Sequence, residues 1–217
     1  MEPNERPAYF DLQSRPIANA TKIKILETAV ELFSQRGFSG ASVRDITGEV
    51  GIKESSLYKH FKSKDEILET IFANFRREAD KMLPPTEHLD FIARSMSLTE
   101  FLERGIANFL DHMRVPIHRK IWRILYNELF RHPTARRIYR MEILERSVEV
   151  MAAVFEKMMQ QGKMKPFDAR PVAMEYEHAS MTLILEYNLR MAENESTEPL
   201  ERQIREHVRF FSAMTSA

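Results

Sequence analysis

Residues 42–64, SVRDITGEVGIKESSLYKHFKSK, constrain the fold more than any other stretch of the chain. Val43, Ile46 and Val50 recur at intervals of three and four, the spacing of one buried helical stripe, and Gly51 then supplies a backbone free to turn tightly. A second helix starts near Glu54. With successive side chains about 100° apart, Leu57 and Phe61 point together into a core, while Ser55 and Lys59 point the opposite way. That opposite face is small, polar and basic. It suits a helix lying in a DNA major groove, because hydroxyls and an ammonium can bond to base edges that bulky apolar groups would cover. Upstream, Ile25, Leu26, Ala29, Leu32 and Phe33 form the stripe of a longer helix, which Gly37 ends and Phe38 follows back into the core. Three helices then enclose one small core, as in a DNA-binding helix-turn-helix.

Charge is the first objection. Lys plus Arg and Asp plus Glu each number 32, whereas a nucleic-acid binder is often basic overall. The local balance answers it: within residues 42–64, Arg44, Lys53, Lys59, Lys62 and Lys64 outnumber Asp45, Glu49 and Glu54, with His60 beside them. The 217 residues allow one large domain or two small ones, and the hydrophobic fraction of 43% is ordinary for a globular chain. No apolar run approaches the roughly 20 residues of a membrane-spanning helix. Residues 1–18 lack the layout of a signal peptide, so a cytoplasmic protein is expected. Cysteine is absent, which excludes disulfides, thiol catalysis and thiolate metal sites. The six glycines build no dinucleotide fingerprint, phosphate loop or nucleophile elbow. His112, His118, Glu128 and His132 match no ordinary zinc spacing, and Glu142 with Glu145 is most economically a solvated helix face. No enzyme activity, cofactor or metal site is expected.

The remaining chain reads as helical throughout, so the predicted fold class is all-α. Residues 1–18 contain three prolines and no periodicity, and are expected to be a flexible arm in which Arg6 and Arg15 have at most a weak claim on a DNA groove. Residues 19–64 form the helix-turn-helix domain and 65–217 a helical ligand-binding and dimerisation domain, with a connecting helix over 65–83 that Pro84 and Pro85 stop. Further helices are predicted over 98–114, 116–131, 134–161, 171–192 and 199–214. The 171–192 helix carries two opposite apolar stripes: Val172, Tyr176, Ala179, Leu183 and Tyr187 on one side, Met174, His178, Met181 and Leu185 on the other. Either stripe can meet the chain's own core while the other meets a second subunit. The first is taken as the dimer face, joined by Leu200, Ile204, Val208 and Phe211 of the last helix. Large adaptable apolar groups lie between, and Phe101, Phe109, Met113, Trp122, Tyr126, Met151, Phe155, Met174, His178 and Met181 are candidates to line a pocket for an apolar or aromatic effector, with Glu145 a further polar handle. Each of these, taken singly, also reads as ordinary core.

With these residues in view the chain resembles the TetR family of transcriptional regulators. The resemblance rests on IL-x-x-A-x-x-LF-x-x-x-GF at 25–38, S-x-R-x-I at 42–46, VGI at 50–52 and SLYKHFKSKDEIL at 56–68. Thr47 and Gly48 stand where the family commonly has alanine, Lys53 where serine usually introduces the recognition helix, and Ser55 where glycine is frequent. The resemblance implies a homodimer that binds a palindromic operator, usually as a repressor relieved by a small molecule, with activation as the other sense of regulation. Together with helix geometry it assigns Ser55, Ser56 and Lys59 to base edges and Ser42, Arg44, Lys53, Tyr58, His60 and Lys64 to phosphates, Tyr58 also having a core reading. The alternatives are a helical ligand-binding module or a partner-binding adaptor with a vestigial DNA-binding domain.

Overall fold

Asn19 sets where the first helix begins, its side chain accepting the Lys22 N–H at 2.9 Å. The computed structural model describes residues 9–217. Its helices run in the order α1 (Ala20–Gly40), α2 (Val43–Val50), α3 (Glu54–Leu57), α4 (Lys64–Asp80), α5 (Leu89–Ser95), α6 (Leu98–Arg114), α7 (Pro116–Glu128), α8 (Pro133–Arg137), α9 (Arg146–Gln160), α10 (Ala169–Ala192) and α11 (Glu198–Thr215). Among the described residues there is no β-strand, only isolated bridges at Phe10–Pro16 and Met164–Ser216. The chain forms two compact units. One holds the described residues up to Glu78 together with Pro116–Ile138; the other holds Ala79–Val115 and Tyr139–Ala217.

In the first unit Ile25, Leu26, Ala29, Leu32 and Phe33 of α1 are buried, as the stripe predicts, and Val30 is buried with them. Gly37 has φ 71°, a left-handed value that kinks the end of α1 and suits a residue without Cβ. The Phe38 N–H that follows the kink is taken by Glu128 Oε1 of α7 at 2.9 Å. Trp122 and Phe75, both buried, meet edge to face at 5.0 Å and tie α7 to α4. Trp122 and Tyr126 therefore belong to the unit that carries the helix-turn-helix, apart from the other candidate pocket residues.

The expected arm is corrected from Tyr9 onward. The Asn74 side chain of α4 acts as a backbone neighbour to Phe10, accepting its N–H and donating to its carbonyl, both at 2.8 Å. Arg77 lies 4.4 Å from the Phe10 ring centre and Tyr9 is buried. Absence of helical period does not free a segment whose backbone groups find side-chain partners elsewhere. Arg15 pairs with Asp11 within the same turn, and Arg6 lies outside the described residues.

In the second unit Ser97 and Glu100 form a reciprocal capping box that starts α6, and Leu102, Ile106, Phe109, Leu110 and Met113 make its buried face. The helix predicted over 134–161 is interrupted: α8 ends at Arg137, a π-helix spans Ile138–Glu145, and α9 resumes at Arg146. The break coincides with the passage of the chain from one unit to the other at Ile138 and Tyr139. Helix α5 is absent from the sequence reading because its buried face consists of only Leu89 and Ala93. Phe155, Tyr176, His207 and Phe211 join α9, α10 and α11 through ring contacts of 4.9–6.3 Å.

Candidate nucleic-acid interface

The interface begins with the cap of α2. Ser42 Oγ accepts the Asp45 N–H at 3.1 Å and the Asp45 carboxylate takes the Ser42 N–H at 2.7 Å, the reciprocal box that a Ser-x-x-Asp spacing can announce. Hydrogen bonds from Ser42 hold the Asp45 carboxyl below its ordinary range, followed by the charges of Arg36 and Arg44. Despite Gly48, α2 persists to Val50, where Lys24 Nζ of α1 donates to the terminal Val50 carbonyl at 3.0 Å. Gly51 then takes φ 80° and its N–H returns to the Thr47 carbonyl at 2.9 Å, making the turn.

Helix α3 is a single turn, Glu54–Leu57, begun at Lys53 without a side-chain cap. Bonds from Lys59 N–H to Ser56 O and from His60 N–H to Leu57 O carry the coil on to Phe61. Leu57 and Phe61 are buried, and Lys22 Nζ lies over the Phe61 ring, 4.8 Å from its centre. Ser42, Arg44, Lys53, Ser55 and Lys59 are exposed, while Ser56, His60 and Lys64 are half-buried. Tyr58, at 51% exposure, is turned outward rather than into the core. Lys64 is engaged within the unit. Its ammonium donates to the Phe38 and Ala41 carbonyls, each at 2.8 Å, and stands 4.2 Å from the Phe38 ring centre, clipping α4 to the end of α1. Lys22 and Lys24, which position these elements, have no role in the sequence reading. Glu128 and His132, placed in a metal comparison, here serve Phe38: the carboxylate holds its amide and the imidazole meets its ring edge-on at 5.9 Å.

The second unit distributes the remaining candidates differently from the sequence reading. Phe109, Met113, Met151 and Phe155 are buried and Phe101 is half-buried. On α10, Tyr176 and Tyr187 are buried within the chain, as are Leu200, Ile204, Val208 and Phe211 of α11, while Val172, Ala179 and Leu183 are half-buried. The stripe taken as the dimer face is thus largely consumed by the chain's own core. On the opposite stripe Met174, His178 and Leu185 are exposed, continued by Leu189, while Met181 is half-buried; α11 exposes Phe210 and Met214. Glu145 is tied to Arg170 rather than offered to a pocket. The buried face of α10 also carries Glu177, a carboxyl only 7% exposed. Burial pushes it up to about 7, opposed by the neighbouring Ser147 hydroxyl.

Two helices joined by a left-handed glycine, a polar outward face on the second and a separate helical unit define the class of helix-turn-helix regulators. Residues 25–71 match the bacterial regulatory proteins of the tetR family, and residues 100–214 match the C-terminal domain of AefR-like transcriptional repressors. The chain belongs to the TetR family. A probable HTH-type transcriptional regulator, YttP of Bacillus subtilis, is 32% identical over 110 residues, covering 51% of each chain. The HTH-type transcriptional repressor KstR2 of Mycobacterium tuberculosis is 37% identical over 79 residues, 33% of this chain and 40% of that one. This chain therefore spans about half or less of the length of these curated relatives. In fold it is similar to a TetR family regulator from Pseudomonas syringae pv. tomato, with TM-score 0.65, 18% identity and coverage of 92% and 99% of the two chains. A regulator from Aquifex aeolicus gives TM-score 0.63 at 22% identity, covering 88% and 99%. The named relatives are regulators rather than enzymes, and no helix among the described residues is long and apolar enough to cross a membrane.

Proposed function

We propose that this protein is a cytoplasmic, homodimeric repressor that binds a palindromic operator and is released from it by a small-molecule effector. The observation that carries the reading is the division of the coil from Glu54 to Phe61: Leu57 and Phe61 are buried while Ser55, Tyr58 and Lys59 stand in solvent. Ser55, Ser56 and Lys59 read base edges; Ser42, Arg44, Lys53, Tyr58 and His60 hold phosphates, and Lys64 uses the donor left over from its two carbonyl bonds. Dimerisation runs through the outward stripe of α10 with Phe210 and Met214 of α11, because unpaired apolar side chains at helical spacing gain most from a second copy. The effector binds in the unit formed by Ala79–Val115 and Tyr139–Ala217. The test is selection of bound sequences from random duplex DNA, followed by a metabolite screen for release of the selected duplex. Recovery of a palindrome supports the reading, and absence of any enriched sequence overturns it.

A further inference from the structure

The second unit contains an open groove of about 540 Å³ that no step of DNA binding uses. One wall is a face of α9, bearing Glu149, Ala152, Ala153 and Glu156; the other is the segment entering α10, with Phe167, Asp168 and Arg170. Ala152, Ala153 and Met159 give the groove a small apolar lining on the α9 side, and Phe167 is 43% exposed. The volume falls in the range of about 300–1,000 Å³ of small-molecule sites.

Its charges are one-sided. Glu149, Glu156 and Asp168 bring three carboxylates and Arg170 the single cation. That guanidinium is bonded to Glu145 outside the groove and also lies in the field of Glu149, so its charge is offset by carboxylates and three groove carboxylates still outnumber it. Asp168 accepts the Arg170 N–H at 3.3 Å as the cap of α10, which holds its carboxylate in the groove lining. An exposed aromatic ring lining the same groove as three carboxylates, alanine and methionine is complementary to a cation with an apolar body: the ring and the carboxylates attract the charge while the apolar lining takes the hydrocarbon. We infer that this groove binds an organic cation, an alkyl- or arylammonium of drug-like size. None of the candidate effector residues read from the sequence lines it. The inference deepens the effector reading by naming a ligand class and rests on that reading only for any consequence at DNA, not for binding itself.

The test uses the full chain and benzyltriethylammonium as probe, with benzyl alcohol and benzenesulfonate as neutral and anionic controls, followed by calorimetry and by amide shifts at Ala152, Ala153 and Phe167. The cation is expected to bind with a dissociation constant at or below about 1 mM and the controls at least roughly tenfold more weakly. The Glu149→Gln/Glu156→Gln double variant, at two exposed positions, should weaken the cation by roughly tenfold, and Ala153→Leu should abolish binding by filling the groove. No cation binding, equal binding of benzenesulfonate, or affinity indifferent to both variants overturns the inference. So does a change of oligomeric mass in the double variant, which would make the groove a seat for a second copy. No step involves DNA, so failure here is separate from failure of the operator selection.

Discussion

A single buried carboxyl makes the clearest residue-scale prediction. Glu177 holds its proton in the folded chain to about 7 instead of 4.5, because burial disfavours the charged form. A raised folded value means that the native state keeps a proton which the unfolded chain has lost. This contribution to stability is therefore complete below pH 4.5, declines as pH rises towards 7, and is flat above. The total change is about 3 kcal/mol at 1.36 kcal/mol per unit. Half-buried His207, lowered chiefly by desolvation, acts in the opposite direction as pH falls below 6.5, so a difference measurement is required. Urea unfolding of wild type and Glu177→Gln should coincide near pH 5, and the variant should be more stable by about 2–3 kcal/mol at pH 8; equal curves at pH 8 would contradict the burial argument. At the interface, Lys59→Ala should alter sequence preference as well as affinity, by about 1–3 kcal/mol for each base edge that no longer has its hydrogen-bond partner. A uniform loss over all sequences in a binding array would make Lys59 a phosphate ligand instead. Lys64→Ala should both flatten the salt dependence and lower stability by about 1–3 kcal/mol, since two carbonyls lose a charged donor. An unchanged melting temperature would deny the clip its structural part. Ser55 and Lys59 opposite Leu57 are legible in the sequence because a short local period fixes them. Lys64 is only half legible: its carbonyl partners Phe38 and Ala41 lie more than twenty residues away, and no local pattern encodes them.

At the scale of elements, α10 shows what periodicity can and cannot determine. Both stripes are visible in the sequence, and so is the need to cover both. Which stripe meets the core depends on the partners across it: Phe155 and Phe211 stack at 5.6 Å and both meet Tyr176, drawing that side inward. The outward side is left with Leu185 and Leu189 at 37% and 55% exposure, and α11 with Phe210 and Met214 at 67% and 58%. Leu185→Glu should therefore dissociate the proposed dimer while helicity survives, because each charge would be repeated across its two-fold axis. Tyr176→Ala should instead cost about 3–5 kcal/mol of stability, the range for an aromatic removed from a core, and leave the association constant of the folded chain unchanged. Sedimentation and circular dichroism together separate the two. A Leu185→Glu variant that remains dimeric would remove α10 from the interface. Helix α6 is legible to the residue because Ser97, Glu100 and the stripe agree. The π-helix at Ile138–Glu145 is not, since nothing in an apolar period of three and four announces a turn closed five residues on.

At the scale of the molecule, the chain passes between its two units after Glu78, Val115 and Ile138, so α7 and α8 belong with the helix-turn-helix although they follow α6 in sequence. Composition and local period give no warning of this, because the bonds responsible are remote: Lys120 pairs with Glu31, and Glu128 holds the Phe38 amide. Both ends of α7 thereby grip α1, and a buried carboxylate fixes the backbone just before the helix-turn-helix begins. An effector bound in the other unit, as proposed, would be joined to the proposed DNA-reading side chains by three covalent crossings of the chain. Operator binding needs a definite separation of two recognition segments, near one DNA turn of roughly 34–36 Å or a multiple of it. An effector that favours any other separation must weaken the operator, and by linkage the operator must weaken the effector by the same factor. The coupling expected is about 1–3 kcal/mol. Glu128→Gln keeps the acceptor for Phe38, whereas Glu128→Ala removes the acceptor of a part-buried N–H and should cost about 1 kcal/mol of stability. If α1 carries the signal, Glu128→Ala should also reduce the coupling, and Glu128→Gln should preserve it. Calorimetric titration of an effector found in the release screen into free dimer and operator-saturated dimer measures the coupling for each protein. Equal effector affinities in the two wild-type titrations would sink allosteric release, while full coupling in Glu128→Ala would leave release intact and move its route away from the Phe38 amide.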